Sequence, residues 1–352
     1  MTNPNHLILT VLALCALLGS ARAQQDKIVQ KDGKERSAKI QSEDYDGLKL
    51  SIEGGSMTMP WKDVDSIKYA NAGKYQEAIE SFASESPTQT LPKLEELAAD
   101  DKLRPVLRNG VLFHLGLTYK RLGNDDKAIA TLEQVLKDFP KSRYLLSIGA
   151  NLLSLYTSKG DPTGAVKALD PTLKSASGPQ FDFLKARLLE EQKKYPDAER
   201  SYQSVSTAAA GDPDLVAAAK LGLARCAQRA GNVKEAQDKY KAITVMDAPN
   251  DVLSGAWNGL GELALEKGTK ERAPEELRYA LFAFLRGVVL YVPERGGTTD
   301  EYERALAGSA KAFKAVGELE NDATKKKQFL ARAQQRSEQL KQEFPRSRYI
   351  QP

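Results

Sequence analysis

Residues 109–140 read NGVLFHLGLTYKRLGNDDKAIATLEQVLKDFP and contain the most specific pattern in the chain. Apolar residues recur at helical spacing on both sides of a Gly-Asn-Asp turn, which predicts two helices joined by a tight connection. Gly116 and Ala128 are small enough for the two helices to cross closely, while Leu132 fills space beside the crossing. Pro140 ends the second helix, because proline lacks the backbone N–H that a helix needs. The stretch therefore predicts one antiparallel helix pair.

The same pattern recurs along the chain. A short turn followed by alanine appears six times, with successive spacings of 50, 37, 33, 38 and 37, at Ala78, Ala128, Ala165, Ala198, Ala236 and Ala273. A unit of helix, tight turn and helix that recurs every roughly 34 residues is typical of tetratricopeptide repeats. The segment FPKSRYL at 139–145 also returns as FPRSRYI at 344–350. The chain thus resembles a tetratricopeptide repeat protein over residues 71–352, which implies an α-α solenoid.

The middle repeats depart from this pattern. Ala186 and Ala224 stand where the first repeat has Gly116, and no proline closes the repeat that contains Ala198. Because alanine is also small, we expect the fold to survive these changes. The segments 88–104 and 294–300 are expected to be insert-like.

Residues 24–70 follow a different pattern, in which apolar and polar residues alternate between turn dipeptides. The dipeptides are Asp32-Gly33, Asp46-Gly47 and Gly54-Gly55, and such pairs are frequent hairpin turns. The alternating apolar residues, which predict strands with one buried face, are Ala38, Ile40, Leu48, Leu50, Ile52, Met57, Met59 and Trp61. The order of five short strands resembles the small Sm-like or SH3-like barrels found at the start of secreted bacterial proteins. The resemblance implies a small all-β, barrel-like domain in front of a mainly α chain.

Residues 1–23 have the features of a secretory signal peptide. An apolar run at 7–18 leads to the small-residue site Ala21-Arg22-Ala23, and cleavage there would leave Gln24 at the start. A retained membrane anchor is one alternative, but it would need about 20 apolar residues. A lipoprotein cleaved before Cys15 is another, although Leu14 stands where such signals place a small residue. We therefore expect a periplasmic or secreted protein with no membrane span in its mature part.

Charge and composition exclude several classes of function. Lys and Arg number 51 against 47 Asp and Glu, and both signs are interspersed, whereas nucleic-acid binding needs a one-sided basic surface. The histidines and cysteines are His6, His114, Cys15 and Cys226, too few for a Cys/His zinc site. Cys226 lies among apolar residues at helical spacing, which predicts a buried thiol. We expect no nucleic-acid partner and neither a metal nor another cofactor.

No catalytic pattern is found in the sequence. Nucleophilic catalysis needs a base beside the nucleophile, and His114 lies in a predicted helix next to the packing glycine, which indicates a structural role. The carboxylate pairs Glu190-Glu191 and Glu275-Glu276 are adjacent on predicted helices, so their side chains point apart. No phosphate-binding loop, Gly-x-Ser-x-Gly motif, zinc protease motif or calcium loop occurs. The sequence therefore predicts a protein that is not an enzyme.

The resemblance to tetratricopeptide proteins implies a binding surface, because the first helix of each pair lines a concave groove in such arrays. On this sequence the groove positions are Phe113, Leu117, Arg121, Phe183, Arg187, Leu221, Arg225, Arg229, Asn258 and Glu262. Arginine beside aromatic residues is common in peptide-binding surfaces. The alternative is that these arginines pair with Glu190, Glu191 or Glu262 and only keep the groove soluble. The Lys and Asn pair with which chaperone-binding members clamp a terminal carboxylate is absent.

The segment 279–292 is apolar on almost every side, with Arg286 and Gly287 as its interruptions. Burial between repeats would explain this composition, and a homodimer interface is the alternative. The patterns together resemble repeat-containing envelope proteins that tether outer-membrane or division machinery. We expect an extracytoplasmic scaffold that binds an envelope protein or peptide in the groove. The alternative function is an envelope polysaccharide-binding module that acts through the β domain.

Overall fold

The computed structural model describes residues 25–52, 54–293 and 298–350. The predicted signal peptide and the alternative lipidation site at Cys15 lie outside the described residues. The chain forms two compact units. Of the described residues, the first contains those up to Leu112 together with Lys141–Arg143, and the second contains Phe113–Pro140 and those from Tyr144 onward. The expected domain boundary between residues 70 and 71 stays a prediction.

The first unit contains a five-stranded antiparallel sheet. Its strands are β1 (Asp26–Gln30), β2 (Glu35–Asp44), β3 (Gly47–Ile52), β4 (Gly55–Met59) and β5 (Val64–Lys68). They pair in the order β4-β3-β2-β1-β5. A 3-10 turn at Trp61–Asp63 leads into β5. The strands lie between the turns that the sequence indicates, and closure of the sheet into a barrel stays a prediction.

The alternation of apolar residues predicts most of the buried face of the sheet, although Met57 and Trp61 are only half-buried. Ala38, Ile40, Leu48 and Leu50 are all buried. Ile52, by contrast, is 40% exposed, so its predicted burial is wrong. The reason is that its partner across the hairpin is Gly55, which has no side chain to cover it.

A buried carboxylate fixes the first strand. Both oxygens of Asp26 accept hydrogen bonds from Arg104, at 2.8 and 2.6 Å, and the backbone N–H groups of Ile40 and Ala70 donate to the same carboxylate. Burial by itself would raise the pKa of Asp26, but these hydrogen bonds and the nearby positive charge outweigh it and hold the pKa below its ordinary value. Asp26 is therefore a structural anion at neutral pH.

The segment Lys141–Arg143 belongs to the first unit because it binds to β2. The backbone N–H of Tyr45 donates to the carbonyl of Lys141, and the N–H of Arg143 donates to the carbonyl of Glu43. The Arg143 guanidinium also pairs with the Glu43 carboxylate at 3.0 Å. The carboxylate of Glu43 is almost completely buried, while the Arg143 side chain is 36% exposed.

Fourteen helices follow the sheet within the described residues, which confirms the predicted mainly α fold. They are α1 (Gly73–Ser84), α2 (Pro87–Ala99), α3 (Pro105–Arg121), α4 (Asp125–Asp138), α5 (Leu145–Ser158), α6 (Pro162–Ser175), α7 (Pro179–Glu191), α8 (Tyr195–Ala208), α9 (Pro213–Arg229), α10 (Val233–Ile243), α11 (Asn250–Glu271), α12 (Pro274–Val289), α13 (Asp300–Leu319) and α14 (Ala323–Glu343). Residues 88–104 are not an insert without regular structure. Most of them form α2, which begins with a capping box of Ser86 and Gln89.

Small residues allow the helices of the second unit to approach closely. A Cβ atom added at Gly116 of α3 would lie 2.7 Å from Leu132 Cδ2 of α4, so the predicted crossing is confirmed. Ala186 and Ala224, which replace this glycine in the middle repeats, are fully buried. Alanine therefore serves at these positions, as the sequence predicts.

Two buried tyrosines show the repeat at the level of side-chain contacts. The hydroxyl of Tyr202 on α8 donates to Glu190 of α7 at 2.6 Å. The hydroxyl of Tyr240 on α10 donates to Gln228 of α9, also at 2.6 Å. Each tyrosine is the twelfth residue after its acceptor, and the second contact occurs in the helix pair that follows the first. Consecutive helix pairs thus repeat the same packing.

Candidate functional site

The ten residues predicted to line the groove differ in exposure. Phe113, Leu117, Leu221 and Asn258 are buried, Phe183, Arg187, Arg225 and Glu262 are half-buried, and Arg121 and Arg229 are exposed. All ten lie in the second unit. The sequence places all of them on an accessible surface, and for the four buried residues this expectation is wrong in the structure.

Two of the buried residues pack against neighbouring parts of the second unit. Phe113 of α3 stacks on Tyr144, with ring centroids 4.2 Å apart and an angle of 11° between the rings. His114 contacts both rings edge-on, at 5.1 and 5.8 Å. Leu117, one turn further along α3, is 5% exposed. This part of α3 therefore serves as packing surface, and His114 is part of an aromatic cluster.

The first turn of α13 covers the predicted groove positions of α9 and α11. Asn258 donates to the backbone carbonyl of Glu301 at 2.8 Å and to its carboxylate at 2.9 Å. Arg225 pairs with the same carboxylate. A Cβ atom at Gly255 would lie 3.3 Å from the carboxylate carbon, and it would also collide with Leu221. Leu221, Arg225 and Asn258 thus lie together, and α13 lies over them.

A cluster of four charges, two of them buried and two half-buried, lies at this contact. We call it the four-charge cluster, and its members are Arg225, Glu262, Glu301 and Arg304. Arg304 donates to both oxygens of Glu262, at 2.7 and 2.5 Å, and lies 3.3 Å from Glu301. Gln228 donates to Glu262 at 3.1 Å. Two arginines face two glutamates, so the charges balance. Arg225 does pair with a glutamate, but with Glu301 rather than with Glu190, Glu191 or Glu262.

The protonation state of the cluster follows from its geometry. Burial would raise the pKa of Glu301, but Arg225, Arg304 and the hydrogen bond from Asn258 outweigh it and lower the pKa to about 2. The pKa of Glu262 is also below its ordinary value, because Arg304 and Gln228 outweigh the effect of burial. All four groups therefore carry their charges at neutral pH.

The segment 344–350 also binds to the repeats. Arg348 pairs with Asp300 at the start of α13 at 2.8 Å and with Glu191 at the end of α7 at 3.6 Å. Arg346 pairs with Asp125 at the start of α4 at 3.4 Å. Sequence reasoning missed this contact. The signal that could have found it is the near-literal copy of FPKSRYL at 344–350.

The remaining predicted residues lie closer to solvent. Arg121 and Arg229 are the last residues of α3 and α9, and Arg187 lies near the end of α7. Phe183 packs against Tyr202, with ring centroids 5.7 Å apart. Arg121, Arg187 and Arg229 all lie toward the C-terminal ends of first helices. Each of these three side chains is at least partly exposed to solvent.

A half-buried lysine accompanies these arginines. Lys120 donates to Asn151 of α5 at 2.9 Å. Burial lowers its pKa, although the charges of Glu303 and Asp300 act in the opposite direction. Arg187 is close enough to contribute to this shift. Positive charge on α3 and α7 therefore lies on the same side of the unit.

The titratable groups considered for catalysis have structural partners. Glu191 pairs with Arg348, Glu275 with Arg278, and Glu276 with Lys267. Cys226 is a buried free thiol, as predicted, and burial raises its pKa to about 12. Within residues 25–52, 54–293 and 298–350, His, Cys, Asp and Glu nowhere form a group of three that could hold a metal.

The predicted apolar segment 279–292 is buried on one side only. Leu277, Ala280, Ala283, Phe284, Gly287 and Val288 of α12 are buried. Phe282, Val289, Leu290 and Val292 are each at least half exposed. Arg286 stacks over both Trp257 and Phe282, at 4.5 and 4.8 Å from the ring centroids. In the described part of the chain, no helix is both long and apolar enough to span a membrane.

Comparison with known proteins bears on the repeats. Family models described as tetratricopeptide repeat match residues 111–142, 151–213 and 221–286. The comparison with curated protein sequences found no match.

Several solved structures resemble the chain at low sequence identity. PilW, titled a widely conserved type IV pilus biogenesis factor, is 15% identical, with 69% of this chain and 96% of that chain covered and a TM-score of 0.40. A tetratricopeptide repeat protein from Parabacteroides merdae is 18% identical, with 74% and 99% covered and a TM-score of 0.44. PilF of Pseudomonas aeruginosa is 19% identical, with 69% and 94% covered and a TM-score of 0.38.

The matched ranges coincide with helix pairs of the structure. Residues 111–142 contain α4 and most of α3, 151–213 include α6, α7 and α8, and 221–286 include α10 and α11. The close crossing at Gly116 and the repeated tyrosine contacts lie within these ranges. The chain therefore contains tetratricopeptide repeats.

Proposed function

We propose that the chain is a non-enzymatic extracytoplasmic scaffold that binds a protein or peptide of the cell envelope. The observation that carries this proposal is the presence of tetratricopeptide repeats, because proteins built from them generally mediate protein–protein interaction. The binding surface is the side of the first helices that bears Arg121, Arg187 and Arg229. We call these three residues the arginine face.

The chemistry of the arginine face favours a particular kind of partner. A guanidinium group donates several hydrogen bonds in a fixed geometry that matches carboxylate and carbonyl oxygens. An extended segment with acidic side chains or free carbonyl groups fits this description. Arg225 is left out of the surface because the first turn of α13 lies over it.

The extracytoplasmic location rests on the pattern of residues 1–23. Cleavage after Ala23 would leave a mature chain that starts at Gln24. Intact-mass measurement of the exported protein tests this part of the proposal. A mass that includes residues 1–23, or a diacylglyceryl group on Cys15, would contradict it.

The binding proposal is tested by crosslinking and pull-down from an envelope fraction. The parent chain is compared with a triple variant in which Arg121, Arg187 and Arg229 are replaced by alanine. We expect the triple variant to recover much less of the partner than the parent. Because exposed charges are screened over about 8 to 10 Å near physiological ionic strength, added salt should also weaken capture by the parent.

A matched control removes the same charge elsewhere. Lys137, Lys241 and Arg332 are exposed residues of second helices, and their replacement by alanine should leave capture unchanged. Equal loss in both triple variants would contradict a specific role of the arginine face. Retention of envelope polysaccharide rather than protein would instead support the alternative, a glycan-binding module that acts through residues 24–70.

Self-association through residues 279–292 is a second, separate proposal. Its support is the exposed apolar side of α12, which contains Phe282 and Val289 and continues to Leu290 and Val292. Apolar surface that is exposed on a monomer is often covered by a partner. A homodimer would cover it with the same surface of a second copy.

A further inference from the structure

Residues 344–350, which we call the FPRSRYI segment, lie on three carboxylates of the second unit. The carboxylates belong to Asp125, Glu191 and Asp300, and we call them the acidic site. Their side chains are only 15%, 26% and 21% exposed. They come from three different helices, α4, α7 and α13, so the site exists only in the folded repeats. Two guanidinium groups of the segment, those of Arg346 and Arg348, bind to it.

The other members of the FPRSRYI segment extend the contact. Tyr349 donates to Asp300 at 3.2 Å, and Phe344 packs edge-on against Tyr302 of α13, with ring centroids 6.0 Å apart. The hydroxyl of Ser347 hydrogen-bonds with Glu303. The recognised features are therefore two arginines with one residue between them, followed by an aromatic residue.

The first copy of the motif docks by the same chemistry. Arg143, the counterpart of Arg348, pairs with Glu43 and stacks over Trp61 at 4.0 Å from the ring centroid. Ser142, the counterpart of Ser347, donates to Asn109 at 2.8 Å. The chain thus uses one seven-residue pattern twice to attach itself to a carboxylate.

The two copies differ in how firmly they are held. Ser142 and the Glu43 carboxylate are almost completely buried in the first copy. In the second copy none of the residues 344–350 is fully buried, and the Arg346 side chain is 61% exposed. Exposed ion pairs contribute little net stability, because water and salt screen them. The second copy is therefore held less firmly at Arg346, whereas Arg348 is 31% exposed and Phe344, Tyr349 and Ile350 pack against a buried apolar cluster.

We propose that the FPRSRYI segment is a displaceable internal ligand, and that the acidic site binds a partner segment of the same chemistry. That partner is a peptide with the pattern Arg-x-Arg-aromatic. The inference rests on the proposed protein-binding function, but it concerns different residues from those of the arginine face. The apparent affinity for an external ligand is the intrinsic affinity multiplied by the fraction of molecules whose site is open. Weakening the internal segment raises this fraction, so it should strengthen binding of a peptide.

The experiment uses a fluorescein-labelled peptide with the sequence FPRSRYI and measures fluorescence anisotropy. The full chain is compared with a double variant, Arg346→Ser and Arg348→Ser, in which the internal segment has lost both guanidinium groups. We expect the double variant to bind the peptide at least about tenfold more tightly than the parent. The same peptide with both arginines replaced by serine should bind to neither.

Two further variants locate the binding. Adding Asp300→Asn to the double variant should lower its affinity for the peptide about tenfold, because Asp300 receives both Arg348 and Tyr349. Arg332→Ser removes one charge from an exposed position of α14 and should leave binding as in the parent. If the double variant unfolds at a lower temperature than the parent, Arg346→Ser takes its place, since that side chain is mostly exposed.

The proposal is overturned if a folded variant binds FPRSRYI no more tightly than the parent, or if it binds the serine peptide equally well. Such a result would not affect the arginine face, because the peptide assay involves none of its residues. Conversely, undiminished capture by the triple variant would contradict the arginine face and leave the peptide result unchanged. The two proposals therefore fail separately.

Discussion

Asn258 of α11 donates one hydrogen bond to the backbone carbonyl of Glu301 and another to its carboxylate, at 2.8 and 2.9 Å. The side chain of Asn258 is completely buried. Both bonds attach the first turn of α13 to α11, so they join two helices that are separated in sequence by α12. This contact explains why the predicted groove positions of α9 and α11 are covered.

Replacement of Asn258 by alanine should therefore destabilise the protein. Loss of hydrogen bonds to a buried charged group leaves the carboxylate of Glu301 less well satisfied, which costs about 1 to 3 kcal/mol. Chemical denaturation gives the free energy of unfolding. Gln334→Ala, which removes an exposed amide on α14, serves as the control and should be near neutral. Equal stability of the two variants would show that the contact does not hold α13.

The four-charge cluster should make stability depend on pH in the acid range. The folded pKa of Glu301 is about 2, below its ordinary value of 4.5. A depressed pKa stabilises the folded state above the unfolded pKa, and this contribution is lost as the pH falls from about 4.5 toward 2. Thermal unfolding at pH 6, 5, 4 and 3 measures the effect.

The matched variant is Glu301→Gln, which cannot titrate at this position. Its melting temperature should fall less steeply between pH 5 and pH 3 than that of the parent. At pH 6 it should melt below the parent, because Arg225 loses its buried partner. Parallel pH profiles would exclude Glu301 as a source of the acid sensitivity.

The close crossing of α3 and α4 predicts that the same substitution at two glycines has very different effects on stability. Gly116→Leu should lower the free energy of unfolding by about 1 to 3 kcal/mol or more, because even a Cβ atom there would meet Leu132 at 2.7 Å. Gly211→Leu is the control, since a Cβ atom at that position has open space around it. Equal melting temperatures would mean that the register assigned to the helix pair is wrong.

Cys226 should be chemically inert in the folded protein. The thiol is 1% exposed and its pKa is raised to about 12, so the reactive thiolate is scarce at pH 8. A disulfide-exchange reagent such as DTNB should therefore react only after guanidinium unfolds the chain. Rapid labelling of the native protein would contradict the burial of this residue.

Self-association through α12 predicts a dimer that disappears when the exposed apolar side becomes polar. Sedimentation velocity over a range of concentrations compares the parent with Phe282→Ser combined with Val289→Ser. Val233→Ser, at another exposed apolar position, is the control. The parent and the control should form dimers, while the double variant should stay monomeric. A parent chain that is monomeric at every concentration would contradict the proposal.

Much of the local structure could be read from sequence patterns. The alternation of residues in the sheet and the helical spacing around Gly116 depend on neighbours a few positions away, so the pattern contains the necessary information. Ile52 shows the limit of such reasoning, because its exposure depends on a glycine in the paired strand. The period of the alanines likewise predicts helix pairs without stating which pairs contact each other at a distance.

The position of α13 over the predicted groove residues could not be predicted from any local sequence pattern. Arg225 and Glu301 are 76 residues apart, and Arg348 meets Glu191 across an even longer stretch of chain. A repeat period describes contacts between neighbouring units, whereas these ion pairs arise because the folded repeats bring distant helices together. The repeated FPRSRYI segment is visible in the sequence, but its binding to three carboxylates depends on helices α4, α7 and α13 meeting in the folded chain.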